Sequence, residues 1–289
     1  MVTPDELMAL DLVIWLRTGQ AASQRCHCNQ STISRKVDHA LKTFGLSLQR
    51  RHGEWQLLGD TTLLGMERHI HQLYRFSGRE PLRIEACFVP GPMFLNPPPP
   101  GWIRGCFDHI GQVRPLELVE QRVVDAWITG SSFDLHGLES RGLVAFELNR
   151  APVWLMADPD HPMQGDRNLS QSDLDRFPSL ALPEGCWPTM ESLLRQQGLW
   201  SSPQRLQRYE PAAWEGRTAD RVTLSYATTL MDAHFPGLQQ LDWNLGFENG
   251  DALVVRRDMA EQPAIAQLLE YLRQRCLALQ PRHSSLQVL

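Results

Sequence analysis

Hydrophobic positions fall into two regimes along the chain. Up to about residue 79 they recur every three or four places, and after Pro81 short β-rich runs alternate with helical patterns. Thr3, Pro4 and Glu6 offer an N-cap, a first-turn proline and a capping-box glutamate, and Leu7, Leu10 and Ile14 then follow at helical spacing until Gly19. A short helical stretch from about Gln20 to Cys26, a turn near His27 and Cys28, and a third helix from about Gln30 to Phe44, closed by Gly45, read as a helix-turn-helix. In CNQSTISRKV, Ile33 and Val37 lie one turn apart and predict a buried face. Gln30, Ser31, Thr32, Ser34, Arg35 and Lys36 then face outward, with Asn29 as the expected N-cap. Outward backbone N–H groups at such a helix start favour an anion such as phosphate.

LSLQRRHGEWQLLG follows, with Arg50, Arg51, His52 and Gly53 between two short apolar segments, the pattern of a basic β-hairpin tip. Next comes TTLLGMERHIHQLYRF. Leu63, Met66, Ile70 and Leu73 recur at intervals of 3, 4 and 3, an apolar seam that wants a partner, either a second helix or the chain's own body. Beyond Pro81, LRIEACFV, LELV, PVWLMA, PSLALP and ALVVRR read as strands, and TMESLLRQQGL and PAIAQLLEYLRQRC as amphipathic helices. A mostly parallel α/β body of two lobes is expected, with the chain crossing near Gly142 to Leu148 and leaving a ligand cleft outside the strand ends.

Charge sharpens this division. From Arg17 to His52 seven cations (Arg17, Arg25, Arg35, Lys36, Lys42, Arg50 and Arg51) face one acid, Asp38, so the segment carries +6 while the whole chain carries -5. A compact basic segment on an acidic body is the footprint of a nucleic-acid module joined to a domain with another task. With 289 residues, 42% of them hydrophobic, the chain can bury the cores of two or three domains. No apolar run approaches the roughly 20 residues of a membrane helix. The acidic start MVTPDELMALD lacks a basic secretory n-region, and six scattered cysteines suit a reducing compartment, so a cytoplasmic location is expected.

Competing chemistry finds no seat. Cys26, His27 and Cys28, with His69 and His71, lack the second spaced pair that would close a tetrahedral metal site. Asp158, Asp160 and His161 lie among prolines of an ordinary turn, and no nucleophile elbow, Walker loop or zincin motif is present. No enzyme, metal or cofactor is expected.

The run HCNQSTISRKVDHALKTFGLSLQRR resembles the N-terminal signature of LysR-type transcriptional regulators through Gln30, Ser31, Thr32, Ser34, Arg35, Gly45, Leu46 and Leu48. PLRIEACF is similar to the first strand of that family's effector domain. LELVEQRVVDAWITGSSFDL is similar to its second strand, helix and third strand, and APVWLMADPDHPM to the segment ending in Asp-His-Pro. The chain departs from the family at Gly19 to Ser23, about two residues short, at Gln49 and the LLGD from Leu57, and at the run Pro97 to Pro100, where a helix would be under way.

The resemblance implies an N-terminal all-α winged helix-turn-helix (1–59), a linker and dimerisation helix (60–79), and a C-terminal α/β two-lobed, periplasmic-binding-protein-like effector domain (80–289). Lobe one would take about 81–142 plus the C-terminal helix from about 259, and lobe two about 143–258. It implies a DNA-binding transcription regulator controlled by a small-molecule effector, working as a homodimer or tetramer on a pseudo-palindromic double-stranded operator, with RNA polymerase as a further partner. Gln30, Ser31, Thr32, Ser34, Arg35, Lys36, Arg50 and Arg51 would meet DNA, and Leu63, Met66, Ile70 and Leu73 the second chain. By matching position, Pro90, Gly91, Met93, Gln121, Arg122, Glu184, Gly185 and Cys186 would meet the effector. The alternative is a metabolite-sensing or interaction protein with a degenerate DNA-binding module.

Overall fold

The computed structural model describes residues 2–181, 183–203, 208, 210, 220–228, 230 and 237–289. Helix α1 (Pro4–Leu16) starts on a complete capping box between Thr3 and Glu6 and is buried on nearly every side from Leu7 to Leu16. A helix apolar all round belongs in a core, and α1 sits between its own small domain and the body. Helices α2 (Gly19–Arg25) and α3 (Gln30–Phe44) pack on it, α3 through Ile33, Val37 and Ala40. Asn29 stands at the N-cap of α3 but its side chain makes no capping bond. Strands β1 (Ser47–Arg51) and β2 (Glu54–Leu58) form the wing hairpin. Its tip, His52 and Gly53, has φ of 50° and 81°, the positive pair a tight I′ turn requires.

Helix α4 (Thr62–Phe76) is inside out. Its inward face is Leu64, Arg68, Gln72 and Arg75, all buried, while Leu63, Met66, Ile70 and Leu73 are 64%, 61%, 60% and 42% exposed. The apolar seam therefore does not pack on the chain's own body. The buried cations are paired. Asp11 of α1 accepts from Arg68 Nε at 2.8 Å and from Arg83 Nη1 at 3.2 Å, and Arg68 Nη2 lies in ion-pair contact with it at 2.7 Å. Asp125 accepts from Arg75 Nε and Nη2 at 2.8 and 2.7 Å, from Gln72 Nε2 at 3.1 Å and from the Arg83 backbone N–H at 2.8 Å. Such pairs are costly to break one partner at a time, so they fix the linker's register on both domains.

The body holds two main sheets. The first comprises β3 (Leu82–Ala86), β4 (Trp102–Arg104), β5 (Ala126–Thr129), β6 (Leu143–Glu147) and β12 (Ala252–Arg256), in the order β4-β3-β5-β12-β6. The second joins β7 (Asn149–Ala157), β10 (Ser225–Thr228) and β11 (Gln239–Asn249), with β13 (Gln287–Val288) on β7. A small parallel pair, β8 (Leu180–Ala181) with β9 (Ser202–Pro203), completes the strands; Leu182, at the end of the strand expected over PSLALP, lies outside the described residues.

Three expectations are corrected here. LELV is not a strand: it lies in helix α6 (Val113–Glu120), where Leu116, Leu118 and Val119 are buried, and the strand that follows β3 is β4. A run of four such residues fits either element, and length and neighbours decide. The sheets are not mostly parallel, since β12 runs antiparallel to β5 and β6, and β7 pairs antiparallel with β10, β11 and β13. Residues 143–147 and 252–256 belong to the first sheet, so the lobe boundaries move to the crossings at Leu148 and at Gly250–Asp251. Helix α5 (Pro90–Leu95) is short and ends before Pro97, the proline run having no N–H groups to continue it. Helix α7 (Gln171–Leu174) and helix α8 (Pro188–Gln196) flank the second sheet, and α9 (Pro263–Leu279) packs Ile265, Leu268, Leu272 and Cys276 on the first.

Candidate nucleic-acid interface and interlobe cavity

On α3, Gln30, Ser31, Ser34 and Arg35 are exposed, and Thr32 and Lys36 are half-buried. Gln30 packs against Gly19, where a Cβ would sit 3.3 Å from its side chain, so glycine lets α2 approach the start of α3. Arg35 reaches only weakly to the Ser31 carbonyl (3.4 Å) and Thr32 hydroxyl (3.5 Å). Lys36 pairs with Asp5 at 2.9 Å, which turns it toward α1 rather than toward a phosphate. On the wing, Arg50 lies 5.8 Å above the Trp55 ring and Arg51 donates to Gln49 Oε1 at 3.0 Å; both are exposed.

The basic segment is thus less uniform than its composition. Arg17 caps α1 in a left-handed conformation, is buried, and is neutralised by Glu54 (3.0 Å) and Asp108. Exposed cations remain at Arg25, Arg35, Lys42, Arg50 and Arg51. Arg25 and Lys42, counted in the basic segment, were not among the residues expected to meet DNA, because their exposure depends on how α2 and the end of α3 pack.

Between the lobes lies a cavity of about 820 Å³, counting its open mouth. Its floor is the double crossing. Asn149 Nδ2 donates to Asp251 Oδ2 at 2.8 Å, and the Asp251 N–H returns to Asn149 Oδ1 at 3.4 Å. Gly250 touches this joint so closely that a Cβ would lie 1.8 Å from the Asn149 carbonyl oxygen. Burial pushes the Asp251 carboxyl up to about 7, against the Asn149 hydrogen bond that lowers it.

Walls come from Cys87, Phe88 and Val89 after β3, from Ser131 after β5, and from Trp187 and Met190 at the start of α8. Strand β10 supplies Ser225 to Thr228, and β11 ends in the cavity at Asn249. The residues expected to meet an effector are offset from this lining. Pro90 and Gly91 begin α5, where the Phe107 ring fills the space a Gly91 Cβ would need (2.3 Å), and Met93 packs among apolar side chains; the lining stops at Val89. Gln121 caps α6, and Arg122 bonds to Gln72 and Asp258 beside the linker, because the strand assigned before them is a helix. Glu184 lies in a turn, Gly185 donates its N–H to Glu191 Oε2 at 2.9 Å, and Cys186 packs on Gly111; the wall begins one residue later, at Trp187. The signal that could have found the floor is polar: Asn149, Asn249 and Asp251 interrupt apolar strand runs where the chain changes lobes.

No family model matches the chain. A probable nitrogen assimilation transcriptional activator from Synechococcus elongatus is 28% identical over 63% of this chain, and the chain spans about 63% of that relative's length. A full-length OxyR variant from Pseudomonas aeruginosa superposes with a TM-score of 0.58 at 16% identity, over 94% of this chain and 95% of that one. CbnR, a LysR family transcriptional regulator, gives 0.54 at 16% identity over 95% and 99%. Full-length CbnR complexed with its target DNA gives 0.53 at 15% over 94% and 99%. In element order and in its two-lobed body, this chain shares the fold of these solved LysR-family regulators.

Proposed function

We propose that the chain is a sequence-specific, homo-oligomeric transcription regulator whose DNA affinity responds to a small molecule held between the lobes. One observation carries this reading: α3 buries only Ile33, Val37 and Ala40 and leaves Gln30, Ser31, Ser34 and Arg35 exposed at its start, backed by a wing carrying Arg50 and Arg51. Side chains at the start of a recognition helix reach base edges, while cations on a wing hold phosphates. The exposed seam Leu63, Met66, Ile70 and Leu73 supports pairing of two chains through α4, which would present two α3 helices to a pseudo-palindromic site. A relative named as a transcriptional activator and a neighbour solved on its target DNA support the same assignment.

Effector control follows from where the cavity sits. A ligand shifts an equilibrium only through its different affinity for two states, and a cavity walled by both lobes changes shape when they rotate about the Asn149–Gly250 joint. The test is selection of genomic fragments by purified protein at near-physiological salt, with Arg35→Ala in parallel. An enriched split palindrome that Arg35→Ala no longer selects is the expected result; no enrichment by either protein would remove the regulator reading.

A further inference from the structure

Helix α8 opens without a cap of its own. Its first residue, Pro188, has no N–H, Trp187 at the N-cap makes no side-chain capping bond, and the next two N–H groups are satisfied from the other lobe. The buried Asp134 receives them: Oδ1 accepts from the Thr189 N–H at 2.6 Å and Oδ2 from the Met190 N–H at 3.4 Å. A carboxylate against the first turn of a helix satisfies its open donors and complements its dipole. Asp134 comes from lobe one and α8 from lobe two, so this cap exists only while the lobes stand at this separation. It also borders the interlobe cavity. Ser131, whose hydroxyl donates to Asp134 Oδ2 at 2.7 Å, and Met190 both line that cavity.

The backbone of Asp134 leads on to the wing. Its carbonyl accepts from Gln112 Nε2 at 2.9 Å, and Gln112 stands at the N-cap of α6. In the first turn of the same helix Arg114 grips β2. Its Nη2 donates to the Trp55 carbonyl at 2.9 Å, and its Nε lies 3.4 Å from Glu54 Oε2. Glu117, also on α6, accepts from Arg114 Nη1 at 3.1 Å and so orients the guanidinium. Trp55 is the cross-strand partner of Arg50, whose guanidinium lies over its ring. A wing cation and the cap that spans the lobes are therefore joined through one short helix, itself anchored by buried Pro115, Leu116, Leu118 and Val119.

We propose that α6 couples the wing to lobe closure, with Arg114 as the positioning residue that holds the wing and the Gln112–Asp134 contact as the point that follows the lobes. The proposal rests on the effector reading above and gives it a route inside one chain. A change of lobe separation that withdraws α8 from Asp134 shifts the contact that holds the start of α6, and Arg114 then re-aims the strand paired with Arg50. Whether two such contacts act as one device is decided by whether their substitutions add.

The test is a double-mutant cycle on the full chain, read by amide hydrogen exchange. Asp134→Asn keeps the side-chain volume but gives up the charge and one acceptor, and Arg114→Ala cuts the grip on β2. Arg114→Ala is expected to speed exchange across residues 47–58 by about threefold or more. Asp134→Asn should do the same in the parent protein, yet add less than about twofold in the Arg114→Ala background. Gln112→Met, which removes only the joint between Asp134 and α6, should reproduce the effect of Asp134→Asn. Amides of α9 are the control, because a loss of overall stability speeds them too. A wing that exchanges at the parental rate in either Asp134→Asn or Gln112→Met overturns the proposal, as does a rise of equal size in α9 for both variants. An Asp134→Asn effect that survives intact in Arg114→Ala overturns the role of α6 and leaves the second lobe's own contact, Arg208 Nη2 on the Gly53 carbonyl at 3.1 Å, as the route. Exchange needs neither DNA nor a small molecule, so the fragment selection decides the regulator reading separately.

Discussion

Trp15 Nε1 donates to Glu85 Oε2 at 2.7 Å, joining the last turn of α1 to the first strand of the body through a buried hydrogen bond. The other Glu85 oxygen accepts the backbone N–H groups of Ala86 (3.0 Å) and Phe107 (3.1 Å), and burial pushes the carboxyl up to about 7 against these three donors. Two residues past Glu85, Cys87 begins the cavity wall. The small N-terminal domain and the cavity wall are thus tied to the same short strand and the residue that follows it.

Removing that donor should be felt as stability. Trp15→Phe keeps most of the apolar volume but leaves Oε2 of a buried carboxyl without its indole partner, an expected loss of about 1–3 kcal/mol. Urea unfolding of the two proteins at pH 7 measures it. An unchanged midpoint would mean that water replaces the indole.

The Asp251 carboxyl makes stability depend on pH in a definite direction. Its pKa is 3.8 in the ordinary state and about 7 in the folded chain, so the folded form binds more protons between those values. The associated stability is complete below pH 3.8 and is lost as pH rises through about 7. Asp251→Asn keeps a side chain that can bond to Asn149 and has no proton to lose. From pH 4 to pH 8 the wild-type protein should lose up to about 4 kcal/mol relative to this variant. Unfolding curves of both at a series of pH values test it, and a difference that stays constant would contradict a raised pKa.

The exposed seam of α4 is separable from the protomer's core. Met66→Asp combined with Ile70→Asp places two charges where both side chains are about 60% exposed, so the fold should survive while self-association is lost. Sedimentation velocity should report a monomer with an unchanged far-ultraviolet spectrum. A variant that still sediments as the parent does would move the chain-to-chain contact elsewhere.

Arg51 and Arg35 should fail in different ways. Arg51→Ala is expected to weaken binding to all DNA alike and to reduce the salt slope by about one. Arg35→Ala should cost about 1–3 kcal/mol and relax preference at one base position of each half-site. Binding curves at several salt concentrations, on selected and scrambled fragments, separate the two.

Local signals made the N-terminal third legible. The capping box at Thr3 and Glu6, the Gly45 stop and the Ile33–Val37 spacing each specify their element from within a few residues, and the structure carries them. The seam of α4 was readable as apolar periodicity, yet the opposite face could not be foreseen as ionic, because Arg68 and Arg75 find Asp11 and Asp125 only through tertiary packing. The body was less legible. LELV has the composition of a strand and the surroundings of a helix, and its misassignment shifted Gln121 and Arg122 out of place. A cleft between the lobes was expected but its lining was missed, because it is gathered from several elements, and residues such as Met190 and Tyr226 have nothing in their own neighbourhoods that marks a cavity wall.

The inward face of α4 also orders events during synthesis. Asp11 leaves the ribosome before the linker, but Arg83 and Asp125 leave after it, and Asp125 closes the set by receiving Arg75, Gln72 and the Arg83 backbone. Until Asp125, the residue before β5, has emerged, Arg75 and Gln72 lack the carboxylate that holds them. A nascent chain cut short before Asp125 therefore has the N-terminal helices and wing but lacks the carboxylate that mounts the linker on the body.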